Sequence, residues 1–104
     1  MDEQALVKGG TYFSLMYADE QLKVPEIETL VYLGPTKTDD GEPIHLFQRA
    51  WSFHNQGNWD EMSQEDQAEY EETPLLSFPV GNIEPICDGA ELLEQLAEWH
   101  SRAG

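Results

Sequence analysis

The pattern of apolar and polar positions is clearest over residues 27–53, IETLVYLGPTKTDDGEPIHLFQRAWSF. Two apolar runs flank a turn-rich spacer, which predicts a β-hairpin at the centre of a small sheet. In the first run Val31 and Leu33 share one face, and Leu30 and Tyr32 share the other. Both faces are apolar, so this strand should be covered on both sides. Gly34-Pro35 is expected to stop it, and Asp40-Gly41 is a strong turn pair. In the second run Ile44, Leu46 and Gln48 alternate with His45, Phe47 and Arg49. Trp51 and Phe53 continue the second face, so the strand is expected to reach Phe53. A bulge is expected at residues 50–52, where polar and apolar positions change phase.

The flanking segments follow from the same pattern. Residues 1–8 are expected to form a flexible N-terminal arm ahead of a single globular domain, residues 9–104. Gly9-Gly10 breaks the chain before TYFSLMYA, a segment of strand length rich in aromatic residues. Its Phe13, Leu15 and Tyr17 form the more apolar face and are expected inward. Tyr12, Ser14 and Met16 share the other face, which should be partly covered too. Residues 55–74 are the least strand-like part. Ser63 is placed to cap a short helix over residues 64–70, with Glu65 and Asp66 in its first turn. LLSFPV, residues 75–80, reads as a strand. Pro79 has no N–H and puts that strand at a sheet edge.

Asp88 and Glu91 have the spacing of a capping box and open the clearest helix. Leu92, Leu93, Leu96, Trp99 and His100 recur along one stripe of it, with an end expected near Ser101. The helix should pack through Leu92, Leu96 and Trp99. Strands joined by loops and followed by one helix predict an α+β fold. The expected form is a small antiparallel sheet of about four strands with the C-terminal helix packed on it. A strongly curled, SH3-like sheet also suits this length.

Composition changes the picture through charge. Of 104 residues, 21 are Asp or Glu and five are Lys or Arg, a formal net charge of −16. Residues 1–52 hold four bases and nine acids, whereas residues 53–104 hold one base and twelve acids. Between Arg49 and Arg102 there is no Lys or Arg. Binding to a nucleic-acid backbone or an anionic membrane needs a basic patch, so neither is expected as a direct partner. The single Cys87 allows no intrachain disulfide, which fits a reducing compartment. No leader-like or membrane-spanning apolar run is present, and a cytoplasmic location is expected.

Candidate chemistry adds little. His45, His54 and His100 lack the spacing of a helical zinc site. On an extended strand His45 and His54 would stand about 30 Å apart. Cys87 reads as a small buried apolar residue, and His100 as a residue suiting a helix C-terminus. No serine lies in a nucleophile elbow, no Gly-rich phosphate loop precedes a helix, and no EF-hand order of acids is present. No cofactor and no metal site are expected.

The acidic half is the stronger signal. The expected function is a small non-catalytic binding domain acting on a protein with a basic surface. Its contacts are expected at Trp59, Asp60, Glu61, Glu65, Asp66, Glu69 and Tyr70, two of them aromatics of the kind that anchor interfaces. On the last helix Glu91, Glu94 and Glu98 are about 4.5 and 6 Å apart along the axis. Phosphates along a DNA strand advance about 3.4 Å. A mimic of DNA that inhibits a nucleic-acid-binding protein is therefore one form of this reading. The alternative is a small-molecule binder or enzyme with a sheet-lined pocket of Tyr12, Tyr32, His45, Trp51 and His54.

Overall fold

Five consecutive residues, Leu30 to Gly34, are buried in the middle of the longest strand, and the molecule is layered around them. The computed structural model describes residues 2–18, 20–21, 24–69 and 73–103. It contains β1 (Thr11–Tyr17), β2 (Pro25–Lys37), β3 (Pro43–Arg49), α1 (Ala50–Gln56), α2 (Gln64–Ala68), β4 (Leu75–Pro79), β5 (Ile86–Cys87) and α3 (Gly89–Ala103). The strands form one antiparallel sheet in the order β4-β3-β2-β1-β5. The sheet does not close on itself. The fold is α+β, and α3 packs on it through β1 and β5. The fifth strand, only two residues long, is the one the apolar pattern does not mark.

β2 pairs with β1 over residues 25–31 and with β3 over residues 30–37. Where the two pairings meet, its side chains are buried on both faces. Ile27, outside that overlap with β3, is 45% exposed. Gly34-Pro35 does not stop the strand as expected. The register with β3 shifts between Tyr32 and Gly34, which makes a bulge, and Gly34 has φ +122°. A side chain there would be strained, and glycine supplies the conformation freely. Pro35 lies beyond the last β1 partner, so its missing N–H breaks no ladder bond on that side. The hairpin then closes over residues 38–42, where the Thr38 hydroxyl accepts from the Glu42 N–H at 3.1 Å.

One face carries an aromatic core of Tyr12, Leu30, Tyr32, Phe47, Ile83 and Ile86, with Leu6, Leu76 and Phe78 packed against it. Phe47 stands edge-on to Phe78 at 5.7 Å and to Tyr12 at 6.3 Å between ring centroids. Tyr12, expected on the less apolar side of β1, belongs to this core because a second layer covers that side. The layer is Leu6 and Ile83, which come from loops with no apolar period of their own. The other face carries the buried Leu15, Val31, Leu33 and Cys87.

The second hairpin strand ends at Arg49, not at Phe53. Residues 50–56 are helical, so the expected bulge at residues 50–52 is a change of element. Trp51 is 56% exposed rather than a continuation of the strand face. At the chain's end the Asp88 carboxylate accepts from the Glu91 N–H at 2.8 Å, and the Glu91 carboxylate accepts from the Asp88 N–H at 3.1 Å. This is a reciprocal capping box with Asp in the first position. Of the stripe, Leu92, Leu96 and Trp99 are half-buried, while Leu93 is 70% exposed.

Phe47, fully buried among rings from three strands, should be the costliest core side chain to truncate. Phe47→Ala is expected to destabilise the fold by about 3–5 kcal/mol. Leu93→Ala should change stability by less than about 0.5 kcal/mol. Urea unfolding of both variants followed by circular dichroism measures the contrast.

Candidate functional site

The acidic segment after α1 is placed by one buried side chain, Gln48. It sits on β3 between Val31 and Leu75 and has no exposed surface. Its Nε2 donates to Ser52 Oγ at 3.0 Å and to the Gly57 carbonyl at 3.0 Å. Its Oε1 accepts from the Trp59 N–H at 2.9 Å. Both amide hydrogens and the oxygen are used, which is how a buried amide escapes a desolvation penalty. Gln48 therefore ties β3 to α1, to the turn at Gly57 and to the start of the acidic run. Ser52 and Gln56 follow it at helical spacing, and the Ser52 hydroxyl lies 3.5 Å from Gln56 Oε1. That i, i+4, i+8 row was the available sign that the strand turns into a helix here.

Beyond Trp59 the chain is held by local caps. Asn58 accepts from the Asp60 N–H at 2.9 Å and opens a short 3-10 turn, Trp59–Glu61. Ser63 caps α2 as expected, its Oγ accepting from the Asp66 N–H at 3.2 Å. Gln67 donates back to the Trp59 carbonyl at 2.9 Å. The result is a stiffened knuckle with its carboxylates outside. Asp60, Glu61, Glu65, Asp66 and Glu69 are all exposed, whereas Trp59 is half-buried. Tyr70 lies outside the described residues. No ion pair among the described residues involves these five acids. Asp66 and Glu69, with Gln56 and Met62, line a shallow depression of about 240 Å³. On α3, Glu94 and Glu98 are exposed, while Glu91 is committed to the capping box.

The aromatic and histidine candidates divide. Tyr12, Tyr32 and His45 come together on one sheet face. Tyr32 lies 6.4 Å from Tyr12 and 5.6 Å from His45 between ring centroids. Trp51 and His54 are on α1, both exposed, and the ring contact of His54 is with Phe53. The 30 Å extended spacing expected between His45 and His54 does not apply, because the chain is helical from Ala50.

His45, only 7% exposed, is gripped at both ring nitrogens. Nδ1 is 2.8 Å from the Tyr32 hydroxyl, and Nε2 is 3.0 Å from Glu3 Oε2. The carboxylate can only accept, so Nε2 carries a proton. The other Glu3 oxygen accepts from the Gly81 N–H at 2.5 Å. The His45 hydrogen bond, helped by the Gly81 N–H and opposed by partial burial, holds the Glu3 carboxyl below its ordinary value. Burial, with the charge of Glu3 added, pushes the Tyr32 phenol up. The three groups form a hydroxyl–imidazole–carboxylate line, with the Tyr32 hydroxyl at Nδ1 and Nε2 donating to Glu3.

Glu3 is the member sequence reasoning did not find. It is 42 residues from His45 and 78 from Gly81, and no local pattern marks it. Residues 2–8, which contain it, cross the aromatic face. Val7 donates to the Tyr12 hydroxyl at 2.8 Å, and that hydroxyl lies 3.3 Å from the Ala5 carbonyl it donates to.

Cys87 is buried, and burial raises its thiol, which points at the Phe13 carbonyl. Its role is that of the small buried residue expected. Among the described residues no three His, Cys, Asp or Glu side chains gather into a group that could hold a metal ion. No helix among them is long and apolar enough to cross a membrane. The chain matches no protein family, no curated protein and no solved structure.

Two outcomes follow from these contacts. Gln48→Leu, similar in size, strands the Gly57 carbonyl and the Trp59 N–H and leaves the Ser52 hydroxyl only its contact with Gln56. A loss of about 1–3 kcal/mol is expected. Faster hydrogen exchange at the Trp59 amide should accompany it. For Glu3, the folded value lies below the ordinary 4.5, so between the two the folded chain binds fewer protons than the unfolded one. Its contribution to stability is complete above pH 4.5 and is lost as pH falls through the folded value. The stability difference between the unaltered chain and Glu3→Gln should therefore shrink on acidification, as read by urea titrations across that range.

Proposed function

We propose that this is a small acidic binding domain without catalysis of its own, acting through its acidic C-terminal half on a protein with a basic surface. The observation that carries the reading is the knuckle at residues 59–69. Five exposed carboxylates are presented there on a short, capped segment anchored to the sheet by Gln48. No Lys or Arg lies between Arg49 and Arg102 in the sequence, and Arg49 is itself engaged by Glu28 at 2.5 Å. A near single-sign field of this kind steers a cationic partner and raises its on-rate. The half-buried Trp59 supplies an aromatic flank of the type found at interface centres. In its most specific form the partner's surface is a nucleic-acid-binding groove.

The test is affinity capture from the source cell at low and moderate salt, with the acid-neutralised chain as control. That control carries Asp60→Asn, Glu61→Gln, Glu65→Gln, Asp66→Asn and Glu69→Gln. A captured partner should be basic, and its affinity should fall about tenfold or more as salt rises to physiological strength and beyond. The neutralised chain should lose it. For the nucleic-acid-groove form, duplex DNA should compete with the protein for the same partner. A partner bound equally well by the neutralised chain, with no salt dependence, would overturn the reading.

A further inference from the structure

The segment lying on the aromatic face is read at three points, and each point is supplied by a different part of the fold. The Glu3 carboxylate meets two converging N–H donors, His45 Nε2 and the Gly81 amide. His45 is steadied from behind by the Tyr32 hydroxyl. The backbone of the segment is read by one hydroxyl, since Tyr12 accepts from the Val7 N–H and donates to the Ala5 carbonyl. Leu6 packs against the aromatic core. The segment is then pinned to β2 at its far end, where the Gly9 N–H donates to the Tyr32 carbonyl at 2.8 Å and the Tyr32 N–H donates to Gly10 at 3.0 Å. Gly9 turns the chain there with φ +85°, a conformation glycine adopts freely, and the Gly10 N–H closes the turn on the Val7 carbonyl at 2.8 Å.

We propose that this face is a peptide-binding groove, filled in the free protein by the chain's own residues 2–8, and that it takes a segment with glutamate followed three residues later by leucine. The occupant's chemistry is shown by the tenant already seated. A carboxylate suits the two N–H donors, a single 3-10 turn over Glu3–Ala5 that ends in an extended Leu6 presents its Ala5 carbonyl and Val7 N–H to the Tyr12 hydroxyl, and a leucine suits the aromatic floor. A trans peptide of this kind displaces the N-terminal segment. The groove lies apart from the acidic knuckle, and its salt dependence has the opposite sign. An acidic peptide approaching a chain of net charge −16 is repelled at long range, so screening strengthens its binding.

The probe is an acetylated, amidated peptide with the sequence of residues 2–8, titrated into full-length Glu3→Ala and followed by NMR. Saturable shifts are expected at the Gly81 amide and the His45 ring. Peptides carrying Glu3→Gln or Leu6→Ala should bind at least about tenfold more weakly, in line with a lost charged hydrogen bond or a lost buried leucine. The unaltered chain should also bind more weakly than Glu3→Ala, because its tethered segment competes at an effective concentration in the millimolar range. Absence of saturable shifts, or equal affinity for the two altered peptides and the parent, would sink the proposal. Should Glu3→Ala fail to fold, the unaltered chain at high peptide concentration decides the matter. Faster hydrogen exchange at the Val7 amide is expected there, and unchanged exchange overturns the proposal.

Discussion

One buried amide, that of Gln48, decides the path of the chain from the end of β3 to Trp59. A polar side chain in the centre of a sheet is destabilising unless each of its hydrogen-bonding positions is matched. Here the matches are Ser52, Gly57 and Trp59, so satisfying Gln48 requires α1 to fold back over the strand it grew from and Trp59 to return to it. The acidic segment starts at that return. Its carboxylates point to solvent because its backbone is held inward by Gln48 and Gln67, with Asn58 and Ser63 taking the free N–H groups. The surface proposed to meet a basic partner is thus a consequence of core hydrogen bonding, not of any helical stripe in the segment itself.

The opposite face is finished by a different device. A sheet whose central strand is apolar on both sides needs two covers, and the short irregular segments of this chain have few apolar residues to offer. Residues 2–8 serve with a single leucine, and the rest of their attachment is polar. Glu3 reaches His45 and Gly81, and Tyr12 turns its hydroxyl to the segment's backbone. Such a cover is specific without being large, which is the property that makes exchange for another peptide of the same pattern reasonable. It also places one carboxylate where positive polarity awaits it, in a molecule otherwise crowded with its own negative charge.

Much of this was legible. The α+β class, the central hairpin, the edge position of LLSFPV, the Ser63 cap and the Asp88–Glu91 box all rest on interactions within a few residues, and each stands where its pattern put it. Misreadings cluster where two-residue alternation and tertiary contact disagree. Residues 50–53 keep the strand period, yet the amide of Gln48 finds its partner only if they are helical. Gly34-Pro35 looked like a stop, and becomes a bulge because β1 has already ended opposite it. Trp51 and His54, grouped with His45 by type, part from it as soon as the helix begins.

The sequence by itself determined the central hairpin, the Ser63 and Asp88 helix starts, the buried centre of β2 and the acidity of the C-terminal half, because periodicity, capping and charge are properties of neighbouring residues. Only the tertiary structure decided that Tyr12, Tyr32 and His45 share a face, that Glu3 joins them, and that Gln48 holds Trp59. Those contacts span up to 78 residues. They arise from the order in which strands pair and from the need to satisfy buried polar groups, neither of which leaves a period in the chain.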